Sequence, residues 1–160
     1  MMHIRVIEEK DNKRMEQIIK HSLESFNLDI PGTAYFDPQL GNLNEFYKQS
    51  TYARYWVLVN EDDEAVGGVG IAPFGEYTDI CELQKLYITP EAQGLGQSRK
   101  LMNTALEFAK EYYRYCYWET LKKLEIANLL YCKLGFQQLD RPLDGSEHGA
   151  MDTWYIKKLS

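Results

Sequence analysis

Features that announce a membrane, secreted or metal-bound protein are scarce in this chain of 160 residues. No run of about eighteen apolar residues is present to span a bilayer. The opening Met1-Met2-His3-Ile4-Arg5 lacks the apolar stretch of a secretion signal. A soluble, cytoplasmic protein is expected. Cysteine is sparse: Cys81, Cys116 and Cys132 are odd in number, widely spaced and without a C-x-x-C pair. This pattern supports neither a disulfide framework nor a zinc site, and reduced core thiols are the better reading. No His, Cys or carboxylate spacing supports a bound metal, and none is expected. Positive charge is short too. Against 24 Asp and Glu stand 18 Lys and Arg, for a formal charge of −6 and no basic stripe to neutralise a row of phosphates. Nucleic acid is thereby set aside as a direct partner, whereas an acidic surface attracts a cationic amine.

What is present fits one folded domain. With 44% hydrophobic residues over 160 positions, residues 1–160 can build one substantial core. Strand-like and helix-like segments alternate without repeats, low-complexity tracts or an internal linker. His3 to Ile7 reads as a first strand. Asp11 or Asn12 can cap a helix with Met15, Ile18, Ile19, Leu23 and Phe26 on one face. The polar stretch from Asn27 to Asn42, punctuated by Pro and Gly, is long for a connection, and such loops tend to be lids or binding walls. A short helix follows around Leu43 to Gln49. Tyr55 to Val59 and Ala65 to Ala72 read as a hairpin about an acidic turn, with Gly67, Gly68 and Gly70 permitting a bulge or close packing. Ile80 to Ile88, Tyr115 to Thr120, Phe136 to Leu139 and Asp152 to Lys158 complete the strands. One more helix runs from about Ser98 to Tyr113, burying Leu101, Ala105, Phe108, Ala109 and Tyr112. Another carries Leu124, Ala127, Leu130, Tyr131 and Leu134 and stops at Gly135, a good residue for a helix end. The fold class is α/β in the wider α+β sense, a mixed sheet flanked by helices.

Gln93-Gly94-Leu95-Gly96-Gln97-Ser98, between the strand ending at Ile88 and the helix beginning near Ser98, is the most telling stretch. Glycines let the backbone close on a ligand and successive free N–H groups point inward. The helix terminus carries roughly half a positive charge, so a pyrophosphate is a natural occupant. Spacing separates the known phosphate loops. A dinucleotide fingerprint requires glycine where Arg99 stands, and the Walker pattern G-x-x-x-x-G-K-S/T is absent. What remains is Q-x-x-G-x-S, preceded by Leu86-Tyr87-Ile88-Thr89-Pro90-Glu91. Downstream comes Leu130-Tyr131-Cys132-Lys133-Leu134-Gly135-Phe136.

The first pattern resembles the acyl-CoA-binding motif of the GNAT superfamily of N-acetyltransferases: arginine or glutamine, two residues, glycine, one residue, then glycine or alanine, after a strand ending V-x-P-E. The second resembles the superfamily's L-Y-x-K-L-G-F signature. The likeness extends loosely from Ile4-Arg5-Val6-Ile7 to Trp154-Tyr155-Ile156, essentially the whole chain. It implies a mostly antiparallel central sheet. It also implies direct transfer, in a ternary complex, of the acetyl group of acetyl-CoA to a primary amine of a small molecule or peptide, with coenzyme A as product. Leu86, Tyr87 and Ile88 would then pair with the pantetheine arm and lend a backbone N–H to the developing oxyanion. Gln93, Gly94, Leu95, Gly96, Gln97 and Ser98 would wrap the pyrophosphate, with Asn128 and Lys133 as further cofactor contacts. Gln93 replaces the commoner arginine. Ser98 replaces the usual small residue and brings a hydroxyl able to serve as N-cap.

An alkyl amine is protonated at neutral pH and must lose a proton before it attacks a thioester. The resemblance places that base at Glu82, in the strand before the phosphate loop. Strict alternation puts Glu82 and Gln84 on the sheet face of Leu86 and Ile88, unless a bulge shifts it. Tyr131 is the implied acid, returning a proton to a thiolate whose conjugate acid has a pKa of about 8.5. Glu119 at a strand end and His148 in the loop before the last strand are candidates for lining the acceptor pocket. Exposed aromatic residues are compatible with a homodimer. The alternative is a noncatalytic acyl-CoA sensor or interaction domain of the same fold.

Overall fold

The computed structural model describes residues 1–94, 96–122 and 131–159. Among these the strands are β1 (His3–Val6), β2 (Arg54–Val59), β3 (Ala65–Pro73), β4 (Ile80–Ile88), β5 (Tyr115–Thr120), β6 (Gln137–Leu139) and β7 (Thr153–Lys158). They form one sheet in the order β1-β2-β3-β4-β5-β7-β6. Each pairing is antiparallel except that of β4 with β5. The mixed, mostly antiparallel sheet that the pattern and the resemblance imply is what forms.

Helices α1 (Asn12–Ser25) and α2 (Leu43–Lys48) cover one face, and α3 (Gln97–Tyr112) covers the other. Period-two alternation divides the side chains of β2 between them. Tyr55, Val57 and Val59 join Met15, Ile19, Leu43 and Tyr47 on the α1 side. Trp56 and Leu58 join Val69, Ile71, Leu83, Leu101, Met102 and Ala105 on the α3 side. With both faces covered, β2 and β3 are buried almost throughout, which is why they read as continuous apolar runs.

Expectations at the helix ends need adjustment. Phe26 lies one residue past α1, as its C-cap, and is 44% exposed. Tyr112 ends α3 at 39% exposure, its ring edge-on to Tyr52 at 5.3 Å. Asp11 occupies the N-cap of α1 but makes no side-chain cap bond. Its carboxylate instead accepts from Glu8 N at 2.8 Å and from Arg5 at 2.8 and 3.0 Å, tying α1 to β1. Of the helix expected near Leu124, residues 124–130 lie outside the described residues. Tyr131, Cys132 and Lys133 are helical, and Gly135 ends the turn at φ +91°, as a C′ glycine does. No helix among the described residues is long and apolar enough to cross a membrane.

Candidate active site

The parallel ladder between β4 and β5 consists of Ile80↔Tyr115, Cys81↔Cys116 and Glu82↔Tyr117, and then it ends. Beyond that rung the strands part, leaving the β5-facing edge of β4 from Leu83 to Ile88 without a ladder partner among the described residues. The cause lies on the other side of β4. Against β3, Gly70 pairs with Gln84 and Gly68 with Tyr87, so Val69 alone faces Lys85 and Leu86. This is a β-bulge, and Lys85 sits in it at φ +48°, a conformation costly for a side chain and common at functional sites.

What holds the bulge is Tyr55 of β2, whose hydroxyl reaches across β3 to donate to Lys85 O at 2.8 Å. The ring lies on Gly68 and Gly70. A Cβ at Gly68 would stand 2.5 Å from Tyr55 Cε1, and one at Gly70 would stand 2.7 Å from Cδ2. The β3 glycines thus make room for the tyrosine that shapes β4. The bulge also resets side-chain parity. Glu82 and Gln84 do not share a face with Leu86 and Ile88: the last two pack into the α3-side core, and Tyr87 joins the α1 side.

On the α1 face a polar wall assembles beside the parting. Tyr47 of α2 donates to Gln84 Oε1 at 2.5 Å, and Gln84 Nε2 donates to Glu82 Oε1 at 2.7 Å. Burial pushes the Glu82 carboxyl up, the Gln84 amide pulls it back, and the charge of Glu119 raises it further, to about 7. Tyr117 donates to Glu119 Oε2 at 2.8 Å and accepts from Leu143 N at 3.2 Å. Glu119 Oε1 is buried with no hydrogen-bond partner among the described residues.

Two long loops are pinned over this wall by Asp37. Its carboxylate takes the Lys85 ammonium at 2.8 Å, with that side chain 3% exposed, and His148 Nε2 at 3.1 and 3.2 Å. Burial acts to raise Asp37, but His148 and Lys85 outweigh it and hold the carboxyl below its ordinary range. The same hydrogen bond, working against burial, raises the His148 imidazole. Ala150 N donates to Gly32 O at 3.1 Å, a second tie between the loops. Glu82, Glu119 and His148, widely separated in sequence, therefore converge on one side of the sheet.

Tyr131 approaches from the α3 side. It is 4% exposed and packs edge-on to Trp118 at 5.4 Å and to Tyr155 at 5.8 Å. Burial raises its hydroxyl well above the ordinary phenol value, so it stays protonated. Past β4, Gly94 at φ +80° and Gly96 at φ +72° stand in open space, where an added Cβ would meet nothing within 4 Å. Gly96, not Ser98, is the N-cap of α3, and no side chain among the described residues caps that end. First-turn N–H groups left without a side-chain acceptor suit an anion. Gln93 turns inward, its Nε2 donating to Ile88 O at 2.9 Å, and braces the loop against β4. Lys133 is exposed. Leu95 and Asn128 lie outside the described residues. Between α1 and the end of β4, a cleft of about 590 Å³ is lined by Arg14, Ile18, His21, Phe26, Thr89 and Gln93, among others.

Asp37, Lys85, Tyr47, Tyr55 and Tyr117 were not legible as site residues. The available signals were the unusually long 27–42 loop, which carries Asp37, and the glycine cluster of β3, which marks the bulge. The model of the acetyltransferase (GNAT) family matches residues 15–136. The chain belongs to the GNAT family of acetyltransferases. It is 37% identical over 153 residues, covering 94% of this chain and 90% of the relative, to the Escherichia coli (strain K12) protein described as the uncharacterized N-acetyltransferase YjgM. Among solved structures, a GNAT acetyltransferase of Staphylococcus aureus Mu50 superposes with a TM-score of 0.84 at 20% identity over 100% of both chains. PaiA N-acetyltransferase from Thermoplasma acidophilum, solved in complex with coenzyme A, superposes with a TM-score of 0.74 at 19% identity over 99% of both chains. At these identities the likeness concerns the GNAT fold. For the site, this chain's own side chains are the guide.

Proposed function

We propose that the protein is an acetyl-CoA-dependent N-acetyltransferase that acylates a primary amine of a small molecule or peptide by direct transfer in a ternary complex. The observation that carries this reading is Glu82, a largely enclosed carboxyl at the last rung before β4 and β5 part, tuned to about 7. A base poised near neutral pH is what an ammonium acceptor requires.

The residues present suit the acyl donor. The open Gly94–Gly96 turn and the uncapped start of α3 offer N–H groups to its pyrophosphate. The edge of Leu86–Ile88, unpaired toward β5, offers strand-like hydrogen bonds to an extended amide-bearing arm. The donor supplies an activated thioester: a C–N bond forms, the C–S bond breaks, and the electron pair leaves on sulfur. Glu82 accepts the proton released by the ammonium, directly or through water. Tyr131, kept neutral by burial, is the acid for the departing sulfur, and the second proton that the nitrogen sheds on becoming an amide replaces the one Tyr131 gives up. A backbone N–H of the Leu86–Ile88 segment would donate to the oxygen on which negative charge develops.

The test is turnover of the purified protein with acetyl-CoA across a panel of amines, read as free thiol and as acetylated product. Glu82→Gln and Tyr131→Phe are each expected to cut turnover by about 10²–10⁴-fold while acetyl-CoA binding by calorimetry persists. Saturable binding with no turnover on any amine would move the protein to the noncatalytic sensor reading. No binding at all would reject both.

A further inference from the structure

We propose that Glu119 forms a second subsite in the acceptor pocket, one that takes a further positively charged nitrogen of the acceptor in addition to the amine that is acylated. This rests on the N-acetyltransferase reading and names the acceptor class within it, amines bearing two cationic nitrogens a short alkyl spacer apart.

The first support is an unmet acceptor. Glu119 is 7% exposed, and while Oε2 takes the Tyr117 hydroxyl, Oε1 is buried with no partner among the described residues. A carboxylate oxygen only accepts, so its complement is an N–H or O–H group, and leaving it bare costs about 1–3 kcal/mol. Among the described residues no protein group fills the gap, whereas a ligand donor entering beside β5 would.

Charge accounting on the wall gives the second support. Three carboxylates face it, and Asp37 is already matched by Lys85 and His148. Glu82 has the Gln84 amide and Glu119 the Tyr117 hydroxyl. Neither makes an ion pair with a cation among the described residues. The charges of Lys85 and His148 reach Glu82 without pairing with it, so three carboxylates stand against two cations and Glu119 has no cation of its own among the described residues.

The reaction itself separates the two carboxylates. The nitrogen that attacks begins as an ammonium and ends as a neutral amide, shedding two protons, one that neutralises Glu82 and one that replaces the proton given to sulfur. Were Glu119 matched by that same nitrogen, it would hold the amine in its unreactive charged form and stand bare after transfer. A second cation that keeps its charge throughout pairs Glu119 at every stage. Register sets the spacing. Glu82 lies opposite Tyr117 on the neighbouring strand, and Glu119 follows two residues along the same face. Strand geometry sets roughly 8 Å as the least separation of the two Cα atoms, the strands parting beyond that rung. The charge of Glu119 still reaches Glu82, so the gap is on the scale that a short diamine bridges.

Diaminobutane and butylamine differ by the one nitrogen in question. With acetyl-CoA and the purified full chain, kcat/KM for diaminobutane is expected to exceed that for butylamine by about tenfold or more, mainly through KM. In Glu119→Gln the ratio should fall toward one, and in Glu119→Asp, which keeps the charge, it should remain well above one. Calorimetry of both amines without acetyl-CoA reads occupancy independently of turnover and on the wild-type fold. A chain that binds diaminobutane about tenfold more tightly than butylamine but acetylates neither overturns the transferase reading and leaves the subsite standing. Equal binding of the two amines, or a preference that survives Glu119→Gln, overturns the subsite.

Discussion

At Glu82 three influences act on one carboxyl. Burial disfavours its charge, the Gln84 amide favours it, and the charge of Glu119 opposes it again, for a balance at about 7. Catalysis and stability respond to this value with opposite signs. A base works only when ionised, so kcat for an amine should rise about tenfold per pH unit below about 7 and level off above it. Glu82→Gln should abolish that limb, which a kcat–pH profile will show. For stability, the folded protein binds this proton more tightly than the unfolded chain, whose carboxyl sits near the ordinary 4.5. Between those two values the unfolded state carries fewer protons, so stability falls as pH rises, and the cost is fully present above about 7. Glu82→Gln keeps an acceptor for Gln84 Nε2 and removes the buried charge. It should therefore gain roughly 1–3 kcal/mol at about pH 8 and nothing at about pH 4, measured as a Tm difference that appears only on the alkaline side.

The β4 bulge depends on parts drawn from three strands, and two sets of variants separate them. Gly68→Ala would put a methyl group 2.5 Å from Tyr55 Cε1 and 2.8 Å from Trp56 O. The carbonyl cannot yield cheaply, so the ring must leave Lys85. A loss of about 1–3 kcal/mol in denaturant unfolding is expected, with kcat/KM down by at least about tenfold as the site loses its geometry. Tyr55→Phe keeps the ring and removes only the 2.8 Å bond to Lys85 O. It should cost about 1 kcal/mol. Lys85 and Asp37 form the other pair. Asp37→Asn strips a buried ammonium of its anion and should destabilise by about 3–5 kcal/mol, of which adding Lys85→Met should restore a large part. A double-mutant cycle on unfolding free energy reads that coupling. These contacts also mark what the amino-acid order revealed. Strands β4 and β5 match their expected bounds because short-range apolar patterning fixes them, and the Gly94–Gly96 turn was readable because its demand for positive φ is local. The parity change at Lys85 was not readable, since it follows from a tyrosine on another strand. Asp37 and His148 meet across 111 positions of sequence, and no window along the chain contains both. Ser98 was expected as N-cap from its hydroxyl, but Gly96 takes that position because the turn enters α3 in the left-handed region.

Across the whole molecule, acyl donor and acceptor meet one electrostatic field with opposite signs. The formal charge is −6, and on the acceptor wall Glu82 and Glu119 make no ion pair among the described residues. On the proposed function, a polyanionic nucleotide would be repelled at a distance and held at contact by the N–H groups at the start of α3, while a cationic amine would be attracted over the same range. Salt tells these apart, because it screens the long-range part and leaves short contacts largely intact. Between about 0.02 and 0.5 M ionic strength the Debye length falls from about 20 Å to about 4 Å. The kcat/KM for a cationic acceptor should then fall severalfold, and that for acetyl-CoA should stay level or rise. Both quantities share one kcat, so a general effect of salt on folding or on the chemical step would move them together. Their divergence therefore isolates the field. A parallel decline of the two would show that contact interactions alone govern capture of both molecules and that the excess of acidic residues plays no part in choosing the acceptor.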